Sequence, residues 1–442
     1  MKYSTRLLLI ITMTLTVTSF TYANLIDYVK SDDTAYKWEK ISHKRLDAHT
    51  LAFRLKLTSQ KWQNIIWEHI IDIIIPTNSI HTSTFVYFFI TGTNNKDRAI
   101  ERGREMAHKI NAPVVILHDI PNQPLFNNLW EDDLIAFTFL KYLETQDNTW
   151  PLIFAMVKAA VKAMDAVEEV LRSDSNTAVK GFVVSGSSKR GWTAWLTAAA
   201  DQRIKGIIPI VYDNLNMKKQ MKHQLDSWKN YSDEISEYKG RSLPQRLLDG
   251  EKKVEKLAHL VDPFAYHNKI TVPKLIVIGT NDPYWPLDAL NLYYPDLLGE
   301  KYIHYVPNEG HQISLLKGEL RDETFDTMAA FFEKVEGILE LPEFTGKVTE
   351  QRQKTIFTMK STLQPHSVRV WKTHSSTRDF RNSRWKDYHL KTQRQTYTFE
   401  AIKPRVGFIA YFGEATYLIK GKKIILSTPV TIFSPQGEVK AQ

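Results

Sequence analysis

Residues 181–200 read Gly181-Phe182-Val183-Val184-Ser185-Gly186-Ser187-Ser188-Lys189-Arg190-Gly191-Trp192-Thr193-Ala194-Trp195-Leu196-Thr197-Ala198-Ala199-Ala200. A short apolar run breaks at a Gly-Ser-Ser-Lys-Arg-Gly turn, and an Ala-rich, helix-like run follows. Strand, sharp turn and helix form the local context of a nucleophile elbow, which holds a serine on a strained turn at the top of a sheet. Such a turn favours glycine on either side of the serine, where a side chain would leave no room. With Ser188 as the nucleophile, Gly186 lies two places before it and Arg190 two places after, with Gly191 next. The pattern is Gly-x-Ser-x-Arg-Gly, an imperfect Gly-x-Ser-x-Gly. Ser185 and Ser187 lack small residues at the required offsets. An ordinary glycine turn gives the same local pattern, so the remainder of the chain has to decide.

Working outward, strands alternate with helices. Thr50–Leu57 alternates in polarity, and Asn64–Ile75 reads as its antiparallel partner. Thr84–Ile90 and Pro113–Leu117 are apolar enough for strands covered on both faces. Helical stretches are expected over Asp97–Lys109, Glu131–Glu144 and Leu152–Leu171, and an amphipathic helix over Thr324–Leu341. Val179–Val184 feeds the turn, and Ile204–Val211, Lys274–Ile278 and Lys301–Val306 follow as strands. Such an order implies right-handed crossovers and a mostly parallel sheet. Residues 212–262 fit no sheet position; they are polar and helix-rich, as a cap over the strand ends would be.

Past Leu341-Pro342 the helical period vanishes. Short alternating stretches appear at Thr355–Thr362, Ser367–Lys372, Gln395–Ala401, Val406–Tyr411, Thr416–Lys420, Ile424–Ser427 and Val430–Phe433. They predict an antiparallel β-sandwich over 343–442, of immunoglobulin or fibronectin III type, with Trp371 as its core tryptophan. The expected organisation is thus residues 1–23 as a signal peptide, 24–342 as an α/β domain with a cap at 212–262, and 343–442 as a β-domain.

The leader reading rests on Lys2 and Arg6, an apolar core from Leu7 to about Phe20, and Thr21-Tyr22-Ala23 before a cut ahead of Asn24. The core is polar and short for a membrane anchor. The expected destination is the periplasm or the exterior, and no integral membrane protein is expected. The chain has no cysteine, which excludes disulfides, thiolate metal sites and cysteine nucleophiles. The net charge of +9 is uneven: residues 343–442 carry 18 Lys+Arg against 7 Asp+Glu, or +11, and the rest of the chain 40 against 42, or −2. That balance suits an anionic surface, or merely a solvated basic domain. No nucleic-acid motif accompanies it, and no nucleic acid is expected as a partner.

A serine nucleophile needs a base to take its proton and a carboxylate to orient that base. Both candidates occur at later strand ends, in the order Ser, acid, His. Asp282 follows the strand Leu275-Ile276-Val277-Ile278, and His311 follows the loop Pro307-Asn308-Glu309-Gly310. Asp288 is a second carboxylate set deeper in the following segment, and His304 lies within a strand. Oxyanion donors would be the backbone N–H groups of Lys189 and Thr93. Lys189 and Arg190 would aid an anionic intermediate, hold an acidic substrate, or pair with Asp201, Asp213 or other carboxylates. Tyr212, Asn214 and Trp285 are candidate substrate contacts, with Trp192 and Tyr284 near them, while Trp195 suits helix-to-sheet packing. The expected substrate is a small ester or peptide, and the chemistry requires no metal or cofactor.

The runs Gly186-Ser187-Ser188-Lys189-Arg190-Gly191-Trp192, Tyr212-Asp213-Asn214-Leu215-Asn216-Met217, Gly279-Thr280-Asn281-Asp282-Pro283-Tyr284-Trp285 and Pro307-Asn308-Glu309-Gly310-His311 resemble the PhoPQ-activated pathogenicity-related proteins, a family that includes autocrine proliferation repressor proteins. The resemblance implies an exported α/β-hydrolase fold with a C-terminal β-domain and leaves the substrate open. The elbow alone is also similar to that of glucuronoyl esterases, which act on carbohydrate esters. Two readings follow: a serine hydrolase of esterase or peptidase type, or a secreted signalling or virulence-associated binding protein that does not need the triad.

Overall fold

The computed structural model describes residues 24–77, 83–92, 96–313, 318–391 and 395–441; the expected leader and Thr93 lie outside them. A nine-stranded sheet organises the first three quarters of the chain. Its strands are β1 (Lys37–Asp47), β2 (Thr50–Trp62), β3 (Ile65–Pro76), β4 (Ser83–Ile90), β5 (Val114–Leu117), β6 (Ala178–Ser187), β7 (Ile204–Ile210), β8 (Lys274–Gly279) and β9 (Lys301–Val306). They lie in the order β1-β2-β3-β5-β4-β6-β7-β8-β9. From β5 to β9 all neighbours are parallel, while β1, β2 and β3 add an antiparallel meander against β5. From β4 the chain steps to β5 on one side and later returns as β6 on the other. The strand order reverses there, which opens a crevice at the carboxyl ends of β4 and β6.

Residue type explains the layering. Helices α1 (Leu25–Lys30), α2 (Lys96–Ile110), α3 (Glu131–Thr145), α4 (Leu152–Ser175) and α5 (Lys189–Ala200) surround the sheet. Helix α4 is apolar almost all round, and sixteen of its residues are buried, so it forms the spine of one face. Trp195 on α5 is fully buried against this layer, in a packing role. Short cap helices follow as α6 (Met217–Trp228), α7 (Ser236–Lys239), α8 (Leu243–Leu248) and α9 (Lys252–Val261). Helix α10 (Gly318–Val335) closes the opposite face with α2; it begins and ends six residues earlier than its apolar period predicts.

Strand β1 escaped the sequence reading because it is an edge strand wet on both faces. Lys37-Trp38-Glu39-Lys40-Ile41-Ser42-His43-Lys44-Arg45 therefore has no buried side to impose alternation.

The C-terminal strands are β10 (Phe344–Glu350), β11 (Lys354–Ser361), β12 (Ser367–Ser375), β13 (Lys386–Leu390), β14 (Thr396–Ile402), β15 (Phe408–Ile419), β16 (Lys422–Ser427), β17 (Thr431–Ser434) and β18 (Gly437–Val439). They form a three-stranded antiparallel sheet facing a six-stranded one. Phe357 and Tyr411 meet between the sheets at 5.3 Å, and Ser361 Oγ bonds Tyr417 Oη at 2.7 Å. The two stretches expected around 406–411 and 416–420 are one strand, β15. Trp371 is not the core tryptophan. Alternation along β12 turns Val368 and Val370 into the core and Trp371 to the other face. There its indole N–H donates to Glu414 at 2.9 Å and Arg369 lies over its ring. Trp385 is the buried tryptophan, packed on Phe412.

The two units are stitched at exposed edges. Strand β9 ends the large sheet, and its Tyr305 N–H donates to Ser427 Oγ of β16 at 3.1 Å. The Ile425 N–H of β16 donates in turn to Thr327 Oγ1 of α10 at 3.0 Å. Both orphaned backbone donors find partners across the boundary, which covers two sheet edges at once. Several basic residues of the C-terminal unit are spent here: Lys422 pairs with Glu333 at 2.8 Å, Lys423 with Glu323, and Arg378 with Asp288 at 2.6 Å. Truncating Trp385 to alanine should cost about 3–5 kcal/mol. Denaturant unfolding of the Trp385→Ala protein should show an earlier midpoint, and an unmoved midpoint would refute its role in docking.

Candidate active site

Ser188 stands between β6 and α5 with φ 58° and ψ −128°, a conformation that a non-glycine residue adopts only under constraint. Its N–H donates to Ile210 O of β7 at 2.8 Å, which pins the turn to the sheet. A Cβ on Gly186 would lie 2.6 Å from Arg190 O, and one on Gly191 would lie 3.0 Å from Gly186 O and from Tyr212 Cβ. The second small residue is thus required at 191. Position 190 tolerates arginine because its side chain runs across Gly92 towards Glu131; a Cβ on Gly92 would meet the guanidinium at 2.6 Å. Val211, next to the elbow, is a β-branched residue at φ 45° and adds local strain.

The Lys189-Arg190 pair is committed to carboxylates. Arg190 holds Glu131 in a two-pronged bond at 2.8 and 2.6 Å and also donates to Ile120 O. Lys189 Nζ lies 2.8 Å from Glu131 and 3.1 Å from Asp132. Burial opposes ionisation of Glu131, yet the charges of Arg190 and Lys189 hold its carboxyl far below the usual range. Asp201 instead pairs with Arg203 at 2.6 Å. The Lys189 N–H opens α5, where the first N–H groups of a helix have no intrahelical acceptor.

Asp282 follows β8 and His311 follows β9. Asp282 Oδ2 lies 2.8 Å from His311 Nδ1, and its Oδ1 accepts the Tyr284 N–H at 2.9 Å. The Tyr284 ring covers the imidazole at 4.1 Å between centroids. His311 Nε2 is buried and takes no hydrogen bond, from Ser188 or any other described residue. Ser188 and His311 line the same two cavities. Asp288 is turned away, bonded to His223 Nε2 at 2.8 Å and to Arg378. His304 is bonded to Thr324 Oγ1, and burial pushes its imidazole down to about 4.

The acid and histidine loops are held to one another by bonds from backbone N–H donors. Asn281 N–H donates to Glu309 O at 2.9 Å, and Asn308 N–H to Thr280 Oγ1 at 2.8 Å. The C-terminal unit grips both. Asn281 Nδ2 donates to Ser383 O at 2.7 Å, and Asn308 Oδ1 accepts the Trp385 N–H at 2.7 Å. The sequence reading gave neither asparagine a role, because their partners lie 102 and 77 positions away.

One family matches residues 25–381, that of the PhoPQ-activated pathogenicity-related proteins. The chain belongs to this family. The "Autocrine proliferation repressor protein A" of Dictyostelium discoideum is 31% identical over 457 aligned residues, spanning 93% of this chain and 89% of that protein. Among solved structures, an acetyl xylan esterase from Paenibacillus sp. R4 superposes with a TM-score of 0.51 at 14% identity, covering 71% of this chain and 92% of that one. The latter likeness establishes the α/β-hydrolase fold for this member of the family.

An apolar cavity of about 120 Å³ lies between Ser188 and the cap helices. Tyr212, Asn214 and Trp285 line it, as do Trp192 and Tyr284. Tyr212 stacks on Trp192 at 5.4 Å, and the Trp192 indole donates to Val261 O at 2.6 Å. The sequence reading missed Phe139, Met217, Met221, Ile235, Leu243 and Leu257 in this wall. Phe139 lies on α3 and the others on short apolar faces of the cap segment, legible only once the cap is placed over the elbow. Among the described residues, no group of three or more acidic or histidine side chains is placed to hold a metal, and no helix is long and apolar enough to cross a membrane.

Two outcomes follow. A Cβ on Gly279 would sit 2.3 Å from Gly310 O and 2.4 Å from Glu309 O, both backbone atoms. Gly279→Ala must therefore push the His311 loop off the Asp282 loop, at about 1–3 kcal/mol. Thermal melts should show the loss, and wild-type stability would refute the contact. Burial, with Asp282 and Asp288 nearby, pushes the Asp213 carboxyl up to about 8. Folding then takes up a proton, so stability falls as pH climbs from the ordinary carboxylate range towards 8. Asp213→Asn should melt progressively higher than wild type between pH 5 and 8; a gap independent of pH would refute it.

Proposed function

We propose that this chain is an exported serine hydrolase of esterase or peptidase type, with Ser188, His311 and Asp282 as its catalytic triad. The observation that carries this is an imidazole fixed on one side by Asp282 and unpartnered on the other, sharing a cavity with a serine on a strained elbow. In ligand-free enzymes the serine–histidine bond is often open and tightens with substrate. Ser188 Oγ attacks the carbonyl carbon while His311 Nε2 takes its proton. Asp282 keeps the other proton on Nδ1 and stabilises the imidazolium. The Lys189 N–H, at the start of α5, is the oxyanion donor in this reading; Thr93, the second donor expected from the sequence, lies outside the described residues. The leaving group departs with the proton from His311, and water then releases the acyl group by the same steps. Residues 1–23 would direct export.

A second reading, a secreted signalling protein that does not use the triad, draws on the name of the Dictyostelium relative. One experiment separates the two. A fluorophosphonate probe should label wild-type protein and leave Ser188→Ala unlabelled. Ester turnover should fall about 10³-fold or more in Ser188→Ala and His311→Ala. Unlabelled, correctly folded wild type would refute the hydrolase.

A further inference from the structure

The space around Ser188 divides in two. Under the cap it is apolar. On the α2 side a second cavity is lined by Ser187, Ser188, His311, Gln312, Arg98 and Arg102. Lys189, Arg190, Glu131 and Asp132 complete its charged wall, giving four cations against two carboxylates. Both carboxylates are spent. Glu131 serves Arg190 and Lys189, and Asp132 serves Lys189 and the Tyr238 hydroxyl.

Arg102 has no such partner. It is half-buried, and it makes no hydrogen bond or ion pair among the described residues. The carboxylate nearest in charge, Glu105, is bonded to Arg321, which also pairs with Asp322. Burial and the charges of Arg98 and Arg321 hold the Arg102 guanidinium down to about 10, so it stays protonated at neutral pH. With none of its five donors bonded to another described residue, the Arg102 guanidinium is left to meet an anion entering this cavity. One unpaired arginine beside a neutral Gln312 suits a singly charged, planar carboxylate better than a phosphate dianion.

We propose that the α2-side cavity is an anion subsite, and that the substrate is an ester with an apolar acyl chain on the cap side and a carboxylate in its other half, received by Arg102. This rests on the serine-hydrolase reading above. Attack by Ser188 breaks the acyl C–O bond, the carboxylate-bearing alcohol leaves with the proton from His311, and water frees the acyl group as an acid.

The test is a pair of substrates for the mature chain, 4-(hexanoyloxy)benzoate and 4-(hexanoyloxy)benzamide, which share the acyl chain and shape and differ in the charge of the leaving group, each rate being divided by that ester's hydroxide-catalysed rate to remove the difference in leaving-group acidity. Wild type should favour the benzoate at least about tenfold in kcat/KM. In Arg102→Gln that ratio should fall towards one, with the loss carried by KM for the benzoate, while Arg102→Lys should keep part of it. Added salt should narrow the wild-type ratio. Equal wild-type rates on the two esters would overturn the proposal. So would an Arg102→Gln protein that loses both substrates in the same proportion, since that marks a structural role. If the fluorophosphonate labels Ser188 yet neither ester turns over, the anion subsite is refuted and the hydrolase reading stands. If Ser188 is not labelled, both fall.

Discussion

Backbone must touch backbone at the rim of the large sheet, and the candidate site depends on it. At the elbow, Gly186 admits the carbonyl of Arg190 and Gly191 admits that of Gly186. At the far strands, Gly279 admits the carbonyls of Glu309 and Gly310. Side chains at these places would part the loops by more than a hydrogen bond can span. With glycine there, the loops close until an Asp–His contact of 2.8 Å forms beside a serine held at φ 58°. The strain at Ser188 and Val211 is sustained because the surrounding sheet overdetermines the turn.

The C-terminal unit belongs to that same rim. Its loop from Arg378 to Trp385 reaches the acid loop through Asn281, the histidine loop through Asn308 and the buried Asp288 through Arg378. Its β16 covers the open edge of β9, the strand that delivers His311. Covering an edge and bracing two loops are one structural event, so the sandwich supports the site without contributing a residue to the apolar cavity. Part of its positive charge is consumed in this docking, through Arg378, Lys422 and Lys423. The excess of lysine and arginine in residues 343–442 is therefore partly an internal matter.

Charge is partitioned around Ser188 with similar economy. The basic pair after Ser188, conspicuous in the chain, is neutralised by Glu131 and Asp132 at the start of α3. A less conspicuous arginine on α2 has no ion pair among the described residues. Apolar cap helices close the other side. The site is thus two-faced, with a dry wall and a cationic wall meeting at one hydroxyl.

What the residues alone determined was local and periodic. Buried parallel strands such as β4 and β6 announce themselves because both faces are apolar. The elbow is legible because it needs small residues at set offsets, and the order Ser, Asp, His follows the strand ends. Strand β1 stayed hidden because an edge wet on both faces has no period. Trp371 misled because alternation says which residues share a face but not which face is the core. Tertiary structure alone decided the partners of Lys189 and Arg190, the lack of a partner for Arg102 among the described residues, and the grip of Ser383 and Trp385 on the loops of Asp282 and His311. Each joins residues far apart in the chain, and such contacts are set by how the sheet stacks and twists, which no short window of sequence encodes.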